Sequence, residues 1–176
     1  MTTTTDIAPR VFISCLACYN AGRLVGDWHD AIDAAEVTPE QVHGRPTSHE
    51  ELWCLDIENM LTDREMSPHE ATQQAERLEA VDEHQRAAFR AWAASGSHVV
   101  DSEGLPCTDE FEDRFCGEWG SFRDYADDCV ESAGMLRGVP EEIQRHFDHD
   151  SFARELRMDF TVVDSPAGGV FVFRDL

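Results

Sequence analysis

"GVPEEIQRHFDHDSFARELRMDFTVVDSPAGGVFVFR", residues 138 to 174, changes its pattern partway along, and that change sets the fold class. Its first part has Pro140 where a helix accepts proline, in its first turn, with Glu141 and Glu142 where acids favour a helix N-terminus. This predicts a helix from about residue 138 to 158. After it, "DFTVVD" and "GVFVFR" are short β-branched and aromatic runs on either side of the turn sequence "SPAGG", which predicts two strands closing the chain. Helices followed by a small sheet make this an α+β arrangement.

Upstream, "SFRDYADDCVES" at 121 to 132 begins with a Ser121/Asp124 pair resembling a capping box, and Gly134 is a stop signal, so 122 to 133 read as helix. Phe122, Tyr125, Ala126, Cys129, Val130 and Ala133 fall on one face. Asp124, Asp127, Asp128 and Glu131 fall on the other, at i, i+3, i+4 and i+7. Residues 67 to 95 also read as helical, as one helix or two. Ser67, Pro68 and Glu70 form the start signal. Ala71, Ala75, Leu78, Val81, Gln85, Ala88 and Trp92 keep three- and four-residue steps, and "ASGSH" ends the run.

The first sixty residues predict a second small sheet. "RVFISCLACY" reads as a strand, "NAG" as a turn and "LVGDWHDA" as the returning strand. Thr38, Pro39 and Gln41 then supply an N-cap, a first-position proline and a capping-box partner for a short helix before a third strand in "ELWCLDIE". The expected architecture is elongated α+β in three small domains. These are an N-terminal α+β unit over 1–60, a central helical unit over 61–105, and a C-terminal α+β unit over 106–176 that carries the most acidic segment.

Composition narrows the function. Thirty-six acids against fourteen basic residues give a net charge of −22, and every basic residue is Arg. A hydrophobic content of 41% with ten Phe and four Trp separates the chain from a disordered acidic tail. No Arg run offers phosphates a cationic patch, so direct nucleic-acid binding is not expected. Neither a signal-peptide core in "MTTTTDIAPR" nor an apolar run of membrane length is present, which predicts a cytoplasmic protein with reduced thiols.

The acids peak over 101 to 131, where eleven face only Arg114 and Arg123. As metal ligands they do not suit the pattern: the ends of a helical stripe lie about 10 Å apart. "DSEGLPCTDEFE" at 101 to 112 imitates a calcium loop but has Leu105 and Pro106 at its fifth and sixth positions, and reads as a solvated loop. "CLAC" at 15 to 18 suggests half a zinc site, yet no second pair of Cys or His follows at the usual spacing, and in a strand the two thiols face opposite sides. His146 and His149, near Asp148 and Asp150, read as surface residues. No phosphate loop, nucleophile elbow or catalytic triad order is present, so no enzyme, metal or cofactor is expected. The remaining reading is imitation. Acids every three or four residues on adjacent helical ridges approach the charge density of a DNA duplex. Two alternatives stay open: an acidic decoy for another DNA-binding protein, and a divalent-ion-binding regulatory module.

Particular phrases add a family resemblance. "RVFISCLACYNAGRLVGDWHDA" at 10 to 31 resembles the opening of the ArdA-type antirestriction proteins, and "DYADD", "GVPEEIQRHFD" and "FARELRMDFTVVD" recur in that family's order. The chain departs from the family's usual look in having Cys15 and Cys18 in its first strand and a shorter stretch before "ELWCLDIE". The resemblance implies a dimeric DNA mimic, carried by a mobile element or phage, that occupies the DNA-binding groove of Type I restriction-modification enzymes. It further implies that Asp109, Glu110, Glu112, Asp113, Glu118, Asp124, Asp127, Asp128 and Glu131 stand in for phosphates. Leu136, Val139, Pro140 and Ile143 would lie toward a homodimer contact.

Overall fold

A computed structural model describes residues 8–175; the opening threonine run, read above as carrying no export signal, lies outside them. The structure is α+β, with two three-stranded antiparallel sheets. In the first, β1 (Arg10–Cys15) lies between β2 (Gly26–Asp30) and β3 (Leu52–Glu58). The predicted first strand ends early. At Cys15 the chain turns into a short helix, α1 (Leu16–Asn20), so "LACYN" is helical rather than extended. The physical cause lies in the neighbours: the Cys15 and Leu16 amides donate to the Val25 and Glu51 carbonyls, and beyond them the backbone satisfies itself within α1.

The short helix α2 (Pro39–His43) has the capping box that its sequence predicts, Thr38 and Gln41 each bonding the other's backbone. Gly44, at φ +64°, ends it in the left-handed conformation that favours glycine. The helical region 67–95 divides in two, α3 (Pro68–Glu79) and α4 (Arg86–Ser95). Ser67 caps α3 through the Glu70 amide. Between the two helices the Asp82 carboxylate accepts from the His84 amide and holds a 3-10 turn, so the interruption is a local side-chain competition with the helix. The apolar period nevertheless survives the break: Ala71, Ala75, Leu78, Val81, Ala88 and Trp92 are all buried.

α5 (Thr108–Arg114) and β4 (Phe115–Trp119) occupy part of the acidic segment. The solvated-loop reading of 101–112 therefore fails from Thr108 onward, because Phe111 is fully buried and anchors a helix there. α6 (Phe122–Ser132) follows, with Ser121 accepting from the Asp124 amide. The single helix expected over 138–158 is instead α7 (Glu141–Gln144), α8 (His149–Leu156) and a 3-10 turn. α7 ends at Gln144, and Asp148 caps the start of α8 through the Ser151 amide. β5 (Phe160–Asp164) and β6 (Val170–Arg174) form the expected hairpin, and β4 pairs with β6 on its other side.

One buried cluster joins Val11, Ile13, Cys54 and Met66 of the first sheet and its surroundings to Ala71 and Ala75 of α3. A second gathers Leu78, Phe89, Trp92, Phe111, Phe171 and Phe173 from α3, α4, α5 and β6. Phe111 sits at its centre, with ring centroids 5.0 Å from Phe89, 5.2 Å from Phe115 and 5.8 Å from Trp92.

Candidate functional site

The two clusters leave the acids no place inside. α5 turns Phe111 inward, and Asp109, Glu112 and Asp113 are exposed on its outer side. Its cation is also turned inward: Arg114 is only 6% exposed, and its Nε donates to Glu110 at 3.0 Å. The sole positive charge of α5 is thus withdrawn beneath the helix, so the outer carboxylates lack a neighbouring counter-ion on their own face.

An aromatic patch holds α6. Tyr125 packs 5.5 Å from Trp119 of β4 and 5.2 Å from Phe160 of β5, with Phe122 beside it. That fixes the apolar face read from the sequence against the second sheet, and Tyr125, Ala126 and Val130 are buried. The four acids opposite do not behave alike. Asp128 and Glu131 are exposed and make no hydrogen bond or ion pair among the described residues. Asp124 accepts from Ser121 at the cap. Asp127 is a junction, with Arg123 Nε at 2.9 Å on its own helix and His149 Nδ1 at 2.7 Å on α8. Arg123 also pairs with Asp150. Burial pulls the Asp127 carboxyl upward, but the His149 hydrogen bond and Arg123 outweigh it and leave it below the ordinary carboxylate range. His149, read from sequence as a surface residue, therefore links α8 to α6, whereas His146 is exposed. Glu118 on β4 accepts from the buried Ser165 hydroxyl.

In the loop before α5, Asp101 is folded in on itself. Its Oδ1 accepts from the Glu103 and Leu105 amides and it pairs with Arg77. Desolvation raises its carboxyl, but those amides and Arg77 prevail and hold it below the ordinary value. The segment 135–144 has a different character. Gln144 Nε2 donates to the Leu136 and Val139 carbonyls and ties the segment down, with Met135, Pro140 and Ile143 exposed and Leu136 and Val139 partly covered.

Among the described residues only one group of His, Cys, Asp or Glu brings its donor atoms together as a metal would require: Cys15, Cys18, His43 and His49. No group made up of acidic side chains alone converges on a common centre among the described residues. By sequence the Cys and His group is set aside on two grounds, the lack of a second pair at the usual spacing and the divergence of two thiols in a strand; the fold overturns both, since His43 and His49 come in from farther along the chain and the turn into α1 places Cys18 on the same side as Cys15.

A search of curated proteins gave no match. A family-wide sequence profile described as "Antirestriction protein (ArdA)" matches residues 11–171, from the first strand of one sheet to the last strand of the other. The chain therefore belongs to the ArdA family of antirestriction proteins.

Proposed function

We propose that the protein acts as a DNA mimic, occupying the DNA-binding groove of Type I restriction-modification enzymes and excluding the duplex without catalysis of its own. The observation that carries this reading is the outward, non-converging set of acids on α5 and α6. Asp109, Glu112, Asp113, Asp128 and Glu131 are exposed without a partner among the described residues, and Arg114, the one cation of α5, is buried. A cleft lined with Lys and Arg gains from such a surface as it gains from phosphates, through counter-ion release and complementary potential. Glu110, Glu118, Asp124 and Asp127 belong to the same surface in this reading, held by Arg114, Ser165, Ser121 and the Arg123/His149 pair respectively. The protein would work in the cytoplasm as a homodimer, with Leu136, Val139, Pro140 and Ile143 toward the partner copy, and would travel on a mobile element or phage.

Two measurements test it. Purified protein should displace a DNA duplex from a Type I methyltransferase core, with affinity falling steeply as salt rises. Transformation of a restricting host by unmodified plasmid should rise when the protein is present. Protection of the plasmid without binding to the methyltransferase core would move the target to another DNA-binding protein, and salt-independent binding would remove the electrostatic account.

A further inference from the structure

Cys15 ends β1 and occupies the position before α1, and Cys18 lies three residues on, one helical turn away, so both thiols reach the same side. Two separate devices bring imidazoles to them. α2 ends with His43 at its last position, where Gly44 reverses the chain. β3 pairs with β1 so that Leu52 lies opposite Cys15, which brings His49, three residues before Leu52, beside the same thiol. Cys15 Sγ is 3.1 Å and Cys18 Sγ 3.6 Å from His49 Nδ1, and Cys18 Sγ is 4.0 Å from His43 Nε2. All four donor atoms lie within 4.8 Å of one another. A tetrahedral zinc ion with ordinary Zn–S and Zn–N bonds separates its ligands by about 3.4 to 3.8 Å, so side-chain adjustments of about 1 Å or less complete the shell.

We infer that Cys15, Cys18, His43 and His49 form a structural zinc site that fastens the α1 corner of the first sheet to the connection between α2 and β3. Several observations favour zinc over other uses of these residues. Two thiolates with two imidazoles in tetrahedral array match zinc by ligand type and geometry. The spacing Cys-x2-Cys and His-x5-His is that of zinc-binding pairs, with only the interval between the pairs enlarged, because β2 and a 3-10 turn are inserted there. Four protein ligands leave no open position, which assigns the site to structure rather than catalysis. The thiols are buried, at 0% and 2% exposure, and the two imidazoles are half-buried over them. Segment 44–51 contains no helix or strand of its own, and a hydrogen bond from the His49 amide to Thr47 Oγ1 is part of what shapes it, so a metal link there restrains a connection without regular structure.

The site is independent of the antirestriction surface and is tested separately. The reduced, chelator-stripped full chain is titrated with zinc chloride against a chromogenic chelator, then with cobalt(II). The expected results are stoichiometric zinc binding, and a cobalt complex with the visible ligand-field bands and near-ultraviolet thiolate charge transfer of a tetrahedral S2N2 site. Cys18→Ser and His49→Gln should each weaken zinc binding by more than about a hundredfold, beyond the effect of losing an outer-shell partner. Cys116→Ser, which lies outside the cluster, should leave it unchanged. In the unmodified chain, zinc should protect Cys15 and Cys18 from iodoacetamide, a readout that does not depend on any variant folding. Zinc binding that Cys18→Ser and Cys116→Ser support equally, or alkylation of both thiols indifferent to zinc, would overturn the assignment.

Discussion

Replacing Phe111 by alanine removes the ring on which α5 depends. That ring is fully buried and lies within 6.2 Å, centroid to centroid, of Phe89, Trp92, Phe115 and Phe173. An aromatic side chain buries about 150 to 200 Å², and at about 25 cal/mol per Å² the transfer contribution alone is about 4 kcal/mol. Measured Phe→Ala changes in cores span about 3 to 5 kcal/mol once the cavity is included. The upper half of that span is expected here, because the surrounding rings come from three different elements, α4, β4 and β6, and cannot collapse together into the gap. For a chain of this size each kcal/mol lowers the melting temperature by about 2 to 4 °C, so a fall of about 8 to 20 °C is predicted. Urea unfolding followed by tryptophan fluorescence measures it, since Trp92 stands in the same cluster. Phe111→Leu should keep part of the loss from appearing. A Phe111→Ala cost below about 1 kcal/mol, the range of surface substitutions, would refute the view that this ring fixes the acid-bearing helix to the core.

Asp128→Asn with Glu131→Gln should leave stability unchanged or slightly raised, because it removes a like-charge i,i+3 pair, while weakening competition with duplex DNA; thermal melting and the displacement assay read the two separately. Gly169→Ala should destabilise the second sheet, since φ is +89° and a Cβ there would stand 2.3 Å from the Trp119 carbonyl oxygen, and melting temperature again reports it. Asp101, Asp127 and Asp148 all have carboxyls held below the ordinary value, Asp148 through the Ser151 amide first. A depressed folded-state pKa stabilises fully above the unfolded value of about 3.9 and is lost as pH falls through the folded one, so melting temperatures should drop below about pH 4. In His149→Ala, the Asp127 carboxyl should titrate higher than in the parent chain by carboxyl-resolved NMR. Thr38→Ala removes the α2 cap and should cost about 1 kcal/mol by denaturant unfolding.

The local rules that the chain obeys are those whose partners lie within a few residues. Thr38 with Gln41, Ser67 with Glu70 and Ser121 with Asp124 each place a side chain against a backbone amide three positions on, and each marks a helix start that the structure contains. The closing hairpin was equally legible, since β-branched and aromatic runs flank its turn. Asp148 with Ser151 carries the same kind of signal, but the start signal at Pro140, Glu141 and Glu142, extended through 158, hides a cap in the middle of that span. β4 was missed because "FCGEW" has no alternating apolar run; it is a strand because β6 offers it a partner.

Sequence by itself determined the acidic balance, the α+β class and the outward face of α6, because charge count and helical period are properties of the chain alone. Tertiary structure decided which charges are free. Arg114 meets Glu110 at an i,i+4 spacing already present in the chain, but its burial against the core, and the meeting of His149 with Asp127 twenty-two positions away, come from packing that no spacing rule encodes. It also decided that Cys15 meets His49, thirty-four positions away, since that meeting depends on the register of β1 against β3 and on the turn that ends β1 one residue before α1. Hydrogen-bond registry between distant strands is a cooperative property of the folded sheet, and no short window of residues contains it.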